Sequence, residues 1–434
     1  MNKIAVIGAG HVGLTTAVGL SHLGSYVVCA DIDKEKIGSL TEGRISIYEP
    51  GLEAMLKQNI DEGRLAFSAD VQEAIQRADV IFIAVGTFGE NGGDTDLTAL
   101  FDVAQEIAEK SNTDKMVVIK STVPPGTSEK VKEIVDSFTD NKYRINIVTN
   151  PEFLREGNAV HDFLYPERIV IGLEDSCLTE TMHTIYQPLI ARNVPLIITN
   201  YRTAELIKYS ANSFLAMKVT FINEIARLCD VLGADVEIVA DALGKDSRIG
   251  AQYLQPGPGY GGSCLPKDTE SLAHISRERK MPLPILEAVI ESNQVQKQYA
   301  IQKVKDFFPD LKRISLGVLG VSFKPNTDDV RESPSIAVIH QLLREGATLT
   351  LFDPQAIHHA REIWGDRVRY GKDEYETVTA KDGMIILTGW AAFQNLDFDK
   401  IYRRIKGKVI FDFRNLYNRG EMEKRGFSYV AIGK

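Results

Sequence analysis

At 434 residues the chain exceeds what one hydrophobic core organises, so two or three domains are expected. Hydrophobic residues at 44% and charged residues at 25% are the proportions of a folded globular protein and exclude a disordered or fibrous one. A net charge of -9 excludes a broad nucleic-acid surface, because such surfaces hold phosphates with excess lysine and arginine.

The opening MNKIAVIGAG enters a strand pattern directly, without the basic and long apolar regions of a signal peptide, and no run of about 18 apolar residues follows. A cytoplasmic protein with no membrane partner is therefore expected. Cys29, Cys177, Cys229 and Cys264 lack C-x-x-C spacing, so neither a disulfide framework nor a zinc ribbon is indicated, and no metal is expected.

The first strand pattern, KIAVIG, leads into G-A-G-H-V-G and the helix LTTAVGLSHLG. Gly8, Gly10 and Gly13 suit a tight turn, close approach to a pyrophosphate, and close packing of helix on strand. The helix start adds amides and a positive dipole end for phosphate. The second strand, SYVVCADID, ends at Asp31, 18 positions beyond Gly13, where a carboxylate accepts from ribose hydroxyls. That carboxylate repels a 2'-phosphate and favours NAD over NADP, with Lys36 nearby weakening the preference.

ADVIFIAVG, MVVIKSTV, INIVTN and RIVIGL continue the alternation of strand and helix to about Thr199. This predicts a parallel sheet covered on both faces, the doubly wound α/β arrangement. Within N-P-E-F-L-R-E-G, Glu152 and Glu156 share a face if the segment is helical, and one is suited to orient or deprotonate a water. The same spacing is also ordinary on exposed helices.

From about Tyr201 to Ala242 the pattern predicts long helices interrupted near Gly233. Lys208 and Asn212, four apart, would project from one face and together donate to an oxyanion. The loop LQPGPGYGGSCLPKD then places Cys264 within four positions of Lys267 and Asp268, a setting for a nucleophilic thiolate lining a cleft. Alone, a single cysteine is more often a small buried hydrophobe. From about Ile314 the alternation resumes with RISLGVLG, a helix near Ile336 to Arg344, ATLTLFDP, GMIILTGW and KVIFDF, which predicts a second open sheet without a glycine fingerprint. Arg168, Arg248, Lys324 and Arg331 lie in or beside loops and are candidate phosphate cations, each also readable as surface charge. The expected fold is thus α/β, with two doubly wound Rossmann-like domains joined by a central helical region.

G-A-G-H-V-G, S-T-V-P-P-G-T, N-P-E-F-L-R-E-G, A-E-L-I-K-Y-S-A-N, G-Y-G-G-S-C-L-P-K-D and F-K-P-N-T-D-D-V-R-E-S-P, in that order over nearly the whole chain, resemble the nucleotide-sugar 6-dehydrogenase family. The resemblance implies an NAD-binding domain over 1–199, a helical dimerisation region over 200–300, and a nucleotide-sugar domain over 301–434. It implies NAD contacts from Val12, Asp31, Lys36, Thr87, Thr122, Glu156, Lys267 and Arg331. It implies substrate contacts from Glu152, Phe153, Leu154, Arg155, Glu156, Gly157, Lys208, Asn212, Tyr253, Leu254, Gln255, Pro256, Gly257, Gly261 and Lys324. Arg248, in D-S-R-I-G, resembles an arginine that reaches the partner's site in a homodimer.

The chemistry so implied is a four-electron oxidation of a sugar C6 alcohol. Cys264 forms a thiohemiacetal and then a thioester, Lys208 and Asn212 stabilise oxyanions, and Asp268, Thr122 and Glu156 share the activation of water. S-C-L-P-K-D favours the UDP-glucose and GDP-mannose branches over N-acetylhexosamines, and P-E-R-I-V-I-G favours UDP-glucose, with GDP-mannose second. Phe88 stands where the family usually has proline and G-E-N-G-G-D follows, so a locally altered NAD loop is expected. Two other readings stay open. A two-electron hydroxyacid dehydrogenase gives Cys264 no duty, and a non-catalytic NAD or nucleotide-sugar sensor leaves the reactive residue types unused.

Overall fold

Residues 3–87, 95–139 and 142–434 are described by a computed structural model, so Phe88 and the G-E-N-G-G-D run lie outside the described residues. The chain divides into two compact units, one running to Ala211 and the other starting at Asn212.

The first unit holds eight strands: β1 (Lys3–Ile7), β2 (Tyr26–Ala30), β3 (Leu65–Ser68), β4 (Val80–Ile83), β5 (Lys115–Ile119), β6 (Ile145–Thr149), β7 (Ile169–Gly172) and β8 (Leu196–Thr199). They are ordered β3-β2-β1-β4-β5-β6-β7-β8. Every residue of β4 and β5 is buried, which is why these strands read as unbroken apolar runs rather than alternating ones. Ile4 and Val6 of β1 enter one core cluster while Ala5 and Ile7 enter another, so helices cover both faces of the sheet. The expectation of a parallel sheet needs one correction: β6 and β7 are antiparallel, paired at Thr149 and Gly172. The connection between them contains only the short helix Ala159–Leu164, and an antiparallel neighbour needs no full crossover.

The second unit begins inside a helix, Tyr201–Leu232, which ends before Gly233 at φ +69°. Asp235 caps the next helix, Val236–Gly244, by accepting from the Glu237 amide. The interruption expected near Gly233 is therefore present. The helices Leu265–Glu278 and Pro284–Phe307 complete the helical region.

Six strands follow: β9 (Ser315–Leu319), β10 (Thr348–Phe352), β11 (Arg369–Tyr370), β12 (Gly383–Ile386), β13 (Val409–Asp412) and β14 (Ser428–Ala431). Their order, β11-β10-β9-β12-β13-β14, repeats the 3-2-1-4-5-6 order of the first six strands of the other sheet. Both expected Rossmann-like sheets are present.

The two sheets treat their crossover points differently. In the first, the Gly8 amide donates to the Ala30 carbonyl at 2.8 Å and Asp31 follows β2. In the second, the Gly320 amide donates to the Phe352 carbonyl at 2.8 Å and Asp353 follows β10. Asp353 is buried, and its Oδ2 accepts from the Val321 amide at 2.8 Å, the Ser322 amide at 3.0 Å and Trp390 Nε1 at 3.2 Å. The protein itself thus fills the position that a dinucleotide ribose takes in such folds. Asp353→Ala strips several buried donors of their acceptor and should cost about 3–5 kcal/mol. Chemical denaturation of the two proteins measures this; an unchanged midpoint would show that those amides find another partner.

Candidate active site

The first unit carries a loop shaped for close backbone approach. Gly8 sits at φ +101°, and a Cβ there would lie 2.7 Å from the Ala84 carbonyl oxygen. A Cβ on Gly13 would lie 1.8 Å from the Gly8 carbonyl oxygen. Gly10 differs: it is exposed, caps the helix His11–His22, and a Cβ on it would meet nothing within 4 Å. The two hidden glycines build the turn, while the third leaves the helix start open to a ligand, as a pyrophosphate requires.

Asp31 is tied into this loop. Its Oδ2 accepts from the Ala9 amide at 2.7 Å and lies 3.2 Å from Lys36 Nζ, and its Oδ1 accepts from the Asp33 amide at 3.0 Å. Burial opposes its ionisation, but the two amides and Lys36 outweigh it and hold the carboxyl below its usual range. Thr87 Oγ1 donates to the Thr122 carbonyl at 2.9 Å, so the structure brings these two candidates together.

The segment N-P-E-F-L-R-E-G is not helical, contrary to the condition under which Glu152 and Glu156 would share a face. Gly157 takes φ +75°, and its amide donates to Glu49, a residue 108 positions earlier, which holds the run as a loop. Within that loop Glu152 turns inward. Its Oε1 lies 2.9 Å from Lys208 Nζ, with both side chains 4% exposed, and its Oε2 accepts from the Leu154 amide. Arg155 is fastened to Asp162 by its backbone amide at 2.9 Å and by two guanidinium nitrogens at 2.8 and 2.6 Å. Arg168 stacks its guanidinium 3.8 Å above the Phe153 ring.

Lys120, which the sequence reading passed over, completes this cluster. It is buried, donates to Asn150 Oδ1 at 3.1 Å, and is pushed down to about 8 by burial, against the pull of Glu152 and with the push of Lys208. Burial raises the Glu152 carboxyl, but Lys208 above all, with the Leu154 amide and Lys120, brings it below its usual range.

The second unit carries the thiol. Cys264 stands at the N-cap of the helix Leu265–Glu278, partly exposed, with Ser263 Oγ 3.5 Å from its Sγ. A helix start favours the thiolate through its amides and dipole. Asp268, in the first turn, is almost wholly buried; it accepts from Asn212 Nδ2 at 2.6 Å on one oxygen and from Lys267 Nζ at 2.7 Å on the other. Lys208 and Asn212 do lie one turn apart in a single helix, and each donor is already held by a carboxylate.

The glycine-rich loop ahead of Cys264 is folded tightly. A Cβ on Gly261 would lie 2.2 Å from the Glu332 carbonyl oxygen, and the Gly262 amide donates to the Arg331 carbonyl at 3.0 Å. The Gly257 amide donates to Asn223 Oδ1 at 2.8 Å, Leu254 and Pro256 are buried, and Gln255 is exposed. Tyr253 adopts φ +66°. Arg331 pairs with Asp329 at 2.7 Å, Lys324 Nζ lies 5.4 Å from the centre of the Phe323 ring, and Arg248, 87% exposed, pairs with Asp246.

Arg414 is a cation that sequence reasoning missed. It is half-buried, its pKa is pushed down to about 10 by desolvation against the pull of Asp412, and it donates to the Leu387 and Phe323 carbonyls. A Cβ on Gly257 would lie 3.0 Å from its guanidinium. No local pattern marks it, since its partners come from other strands' ends.

Comparison with known proteins agrees in every segment. Residues 2–190 match the NAD binding domain of the UDP-glucose/GDP-mannose dehydrogenase family, residues 202–295 its central domain, and residues 317–419 its UDP binding domain. The chain is 43% identical over 436 residues to a UDP-glucose 6-dehydrogenase of Rhizobium meliloti, covering 100% of this chain and 99% of the relative. It is 43% identical over 434 residues to the UDP-glucose 6-dehydrogenase TuaD of Bacillus subtilis, covering 100% and 94%. A UDP-glucose dehydrogenase structure from Pyrobaculum islandicum superposes with a TM-score of 0.92 at 38% identity, covering 100% of this chain and 97% of the other.

The Lys208–Glu152 pair generates a stability prediction. Glu152→Gln leaves two buried lysines without their carboxylate and should cost about 3–5 kcal/mol at neutral pH. Because the folded carboxyl lies below its unfolded value, the wild-type contribution is full above the unfolded pKa and is lost as pH falls through the folded one. Denaturation midpoints should therefore differ between the two proteins at pH 7 and converge in acid; equal midpoints at pH 7 would overturn the assignment.

Proposed function

Because the chain belongs to the UDP-glucose/GDP-mannose dehydrogenase family and is an NAD-dependent oxidoreductase, we propose that it oxidises the C6 alcohol of UDP-glucose to the carboxylate of UDP-glucuronate. The observation that carries this reading is the setting of Cys264: a partly exposed thiol at a helix start, one turn from a buried Asp268 that joins Asn212 and Lys267. A two-electron dehydrogenase has no use for that arrangement. Of the two leading substrates, UDP-glucose is supported by the relatives named above, and GDP-mannose stands second.

The glycine loop fits NAD. Gly10 is open at the helix start, and the Asp31 carboxylate faces the position of a ribose while Lys36 moderates its charge. Asp31, Lys36, Val12, Thr87 and Thr122 would hold the dinucleotide, and Lys267 and Arg331 are further candidate cations for it. NAD, when bound, supplies the hydride acceptor for both oxidations.

The chain's own residues do the rest. After the first oxidation Cys264 Sγ bonds to the aldehyde carbon, and the carbonyl oxygen takes up a proton, giving a thiohemiacetal. Loss of a second hydride from that carbon, with loss of the hydroxyl proton, leaves a thioester. Water then adds to the acyl carbon, the carbon–sulfur bond breaks, and carboxylate and thiol separate.

Lys208, held in place by Glu152, and Asn212, oriented by Asp268, are suited to stabilise the oxyanions of these steps. Asn212 Nδ2 keeps a second hydrogen beyond the one given to Asp268. Asp268, Thr122 and Glu156 share the positioning and deprotonation of water, and the loop residues Phe153, Leu154, Arg155, Tyr253 to Gly257, Gly261 and Lys324 line the nucleotide sugar. No described helix is long and apolar enough to cross a membrane, and a cytoplasmic location is the reading that four cysteines without a disulfide support.

A homodimer is also supported. The helix Tyr201–Leu232 exposes Phe214, Phe221 and Leu228, spaced seven apart, at 58%, 50% and 51%. Such a stripe is the kind of surface a second copy covers, and Arg248 is exposed enough to extend into a partner's site.

Purified protein given NAD and UDP-glucose should form two NADH per sugar and a uronate, and Cys264→Ala should lower turnover by about three orders of magnitude or more. One NADH with a stable aldehyde, or full turnover in that variant, would sink the proposal. Light scattering should give a dimer mass for the wild type and a monomer for Phe221→Asp; a wild-type monomer would remove the dimer.

A further inference from the structure

One contact beside the glycine loop, between the partly buried His11 and the buried Glu49, has no duty in the reading above. His11, the first residue of the helix that Gly10 caps, places Nε2 3.0 Å from Glu49 Oε2, a charge contact rather than a well-aligned hydrogen bond. Glu49 is 3% exposed. Its two oxygens also accept from the Gly157 amide at 2.7 Å and the Ala159 amide at 2.9 Å. Those amides end the run Phe153–Gly157, whose last turn is closed by the Asn158 amide on the Arg155 carbonyl at 2.8 Å. A single carboxylate therefore grips the start of the dinucleotide helix on one side and the backbone of the substrate loop on the other.

We propose that the His11–Glu49 pair couples the dinucleotide loop to the Glu152–Gly157 loop, so that each ligand tightens the binding of the other while His11 is protonated. This rests on the NAD and nucleotide-sugar reading above and deepens it. A phosphate at the helix start favours a cation on His11; that cation holds the Glu49 carboxylate, and the carboxylate fixes the loop amides. Coupling of this kind is reciprocal by necessity, so ordering of the substrate loop must strengthen dinucleotide binding by the same factor.

The charged groups facing His11 are Glu49, from the segment ahead of the helix Leu52–Asp61, and Glu156 and Glu152, from the loop after β6. Burial works against its charge, yet the Glu49 contact foremost, with the other two carboxylates, lifts its pKa above the usual value. A raised histidine pKa sets the sign. The coupling is present below that raised value and is lost as pH rises through it.

The test uses NADH with UDP-glucose, a pair that cannot react, and reads NADH fluorescence. In the wild type, UDP-glucose should lower the NADH Kd by about fivefold or more at pH 6, and the factor should fall toward one by pH 9. His11→Gln, which keeps a polar group of similar reach but cannot titrate, should retain part of the coupling and lose its pH dependence. His11→Ala should bind NADH with no tightening by UDP-glucose; its thermal midpoint shows whether it remains folded, which the partial exposure of His11 favours. Full, pH-dependent coupling in His11→Ala, or no tightening in a wild type that binds NADH, would overturn this proposal alone. Failure of the wild type to bind NADH would overturn the NAD reading and this proposal with it.

Discussion

A loop that lines a cleft buries backbone amides, and each buried amide needs an acceptor. Here carboxylates supply it at nearly every functional turn. Asp31 accepts from Ala9, Glu49 from Gly157 and Ala159, and Glu152 from Leu154. Glu205 accepts from Gly126, Ser128 and the Ser128 hydroxyl, fixing the S-T-V-P-P-G-T turn, while Asp412 accepts from Leu416 and Tyr417. A charged acceptor makes stronger bonds than a carbonyl, so a loop without regular structure is held nearly as firmly as a helix end. Each such carboxylate also carries a charge into the interior, and that charge must be balanced.

The balance is uneven around Glu152, where Lys208 and Lys120 face one anion. The pair with Lys208 is direct and short, which fixes the lysine in place. Lys120 is left to a neutral amide oxygen, and burial accordingly draws its pKa down to about 8. With both lysines charged, the cluster has a net positive character. An environment of that kind favours developing negative charge on a substrate oxygen more than it favours the neutral ground state, which is the condition for catalysis rather than mere binding.

The parts legible in the sequence were those set by local chemistry. Gly8, Gly10 and Gly13 between strand and helix, the stop at Gly233, and Cys264 in a glycine-rich run each depend on neighbours within a few positions. β3, β8, β11 and β14 were passed over: all four are the edge strands of their sheets, and none is the wholly buried apolar run that β4 or β5 is. The loop form of N-P-E-F-L-R-E-G was hidden because its decisive partner, Glu49, lies 108 residues upstream of Gly157. Lys120, His11 and Arg414 were missed for the same reason: their meaning comes from groups gathered by the sheet. A lysine closing a wholly apolar strand such as MVVIK is a signal, since burial of that strand draws its side chain inward.

The repeated strand order poses a final question of why two similar sheets differ at their crossover points. At the first crossover point Asp31 shares an oxygen with an amide and a partly exposed lysine, and Gly10 leaves open space beside it. At the second, Trp390 and the Ser322 hydroxyl complete the shell of Asp353, and a Cβ on Gly320 would lie 2.4 Å from Thr388. A ribose has no place to enter there. Beyond that crossover the half-buried Arg414 backs Gly257 and ties down the Phe323 carbonyl next to Lys324. The same architecture thus carries an open glycine turn at one crossover point and a self-filled one at the other, and the difference begins with the indole that fills one carboxylate's coordination.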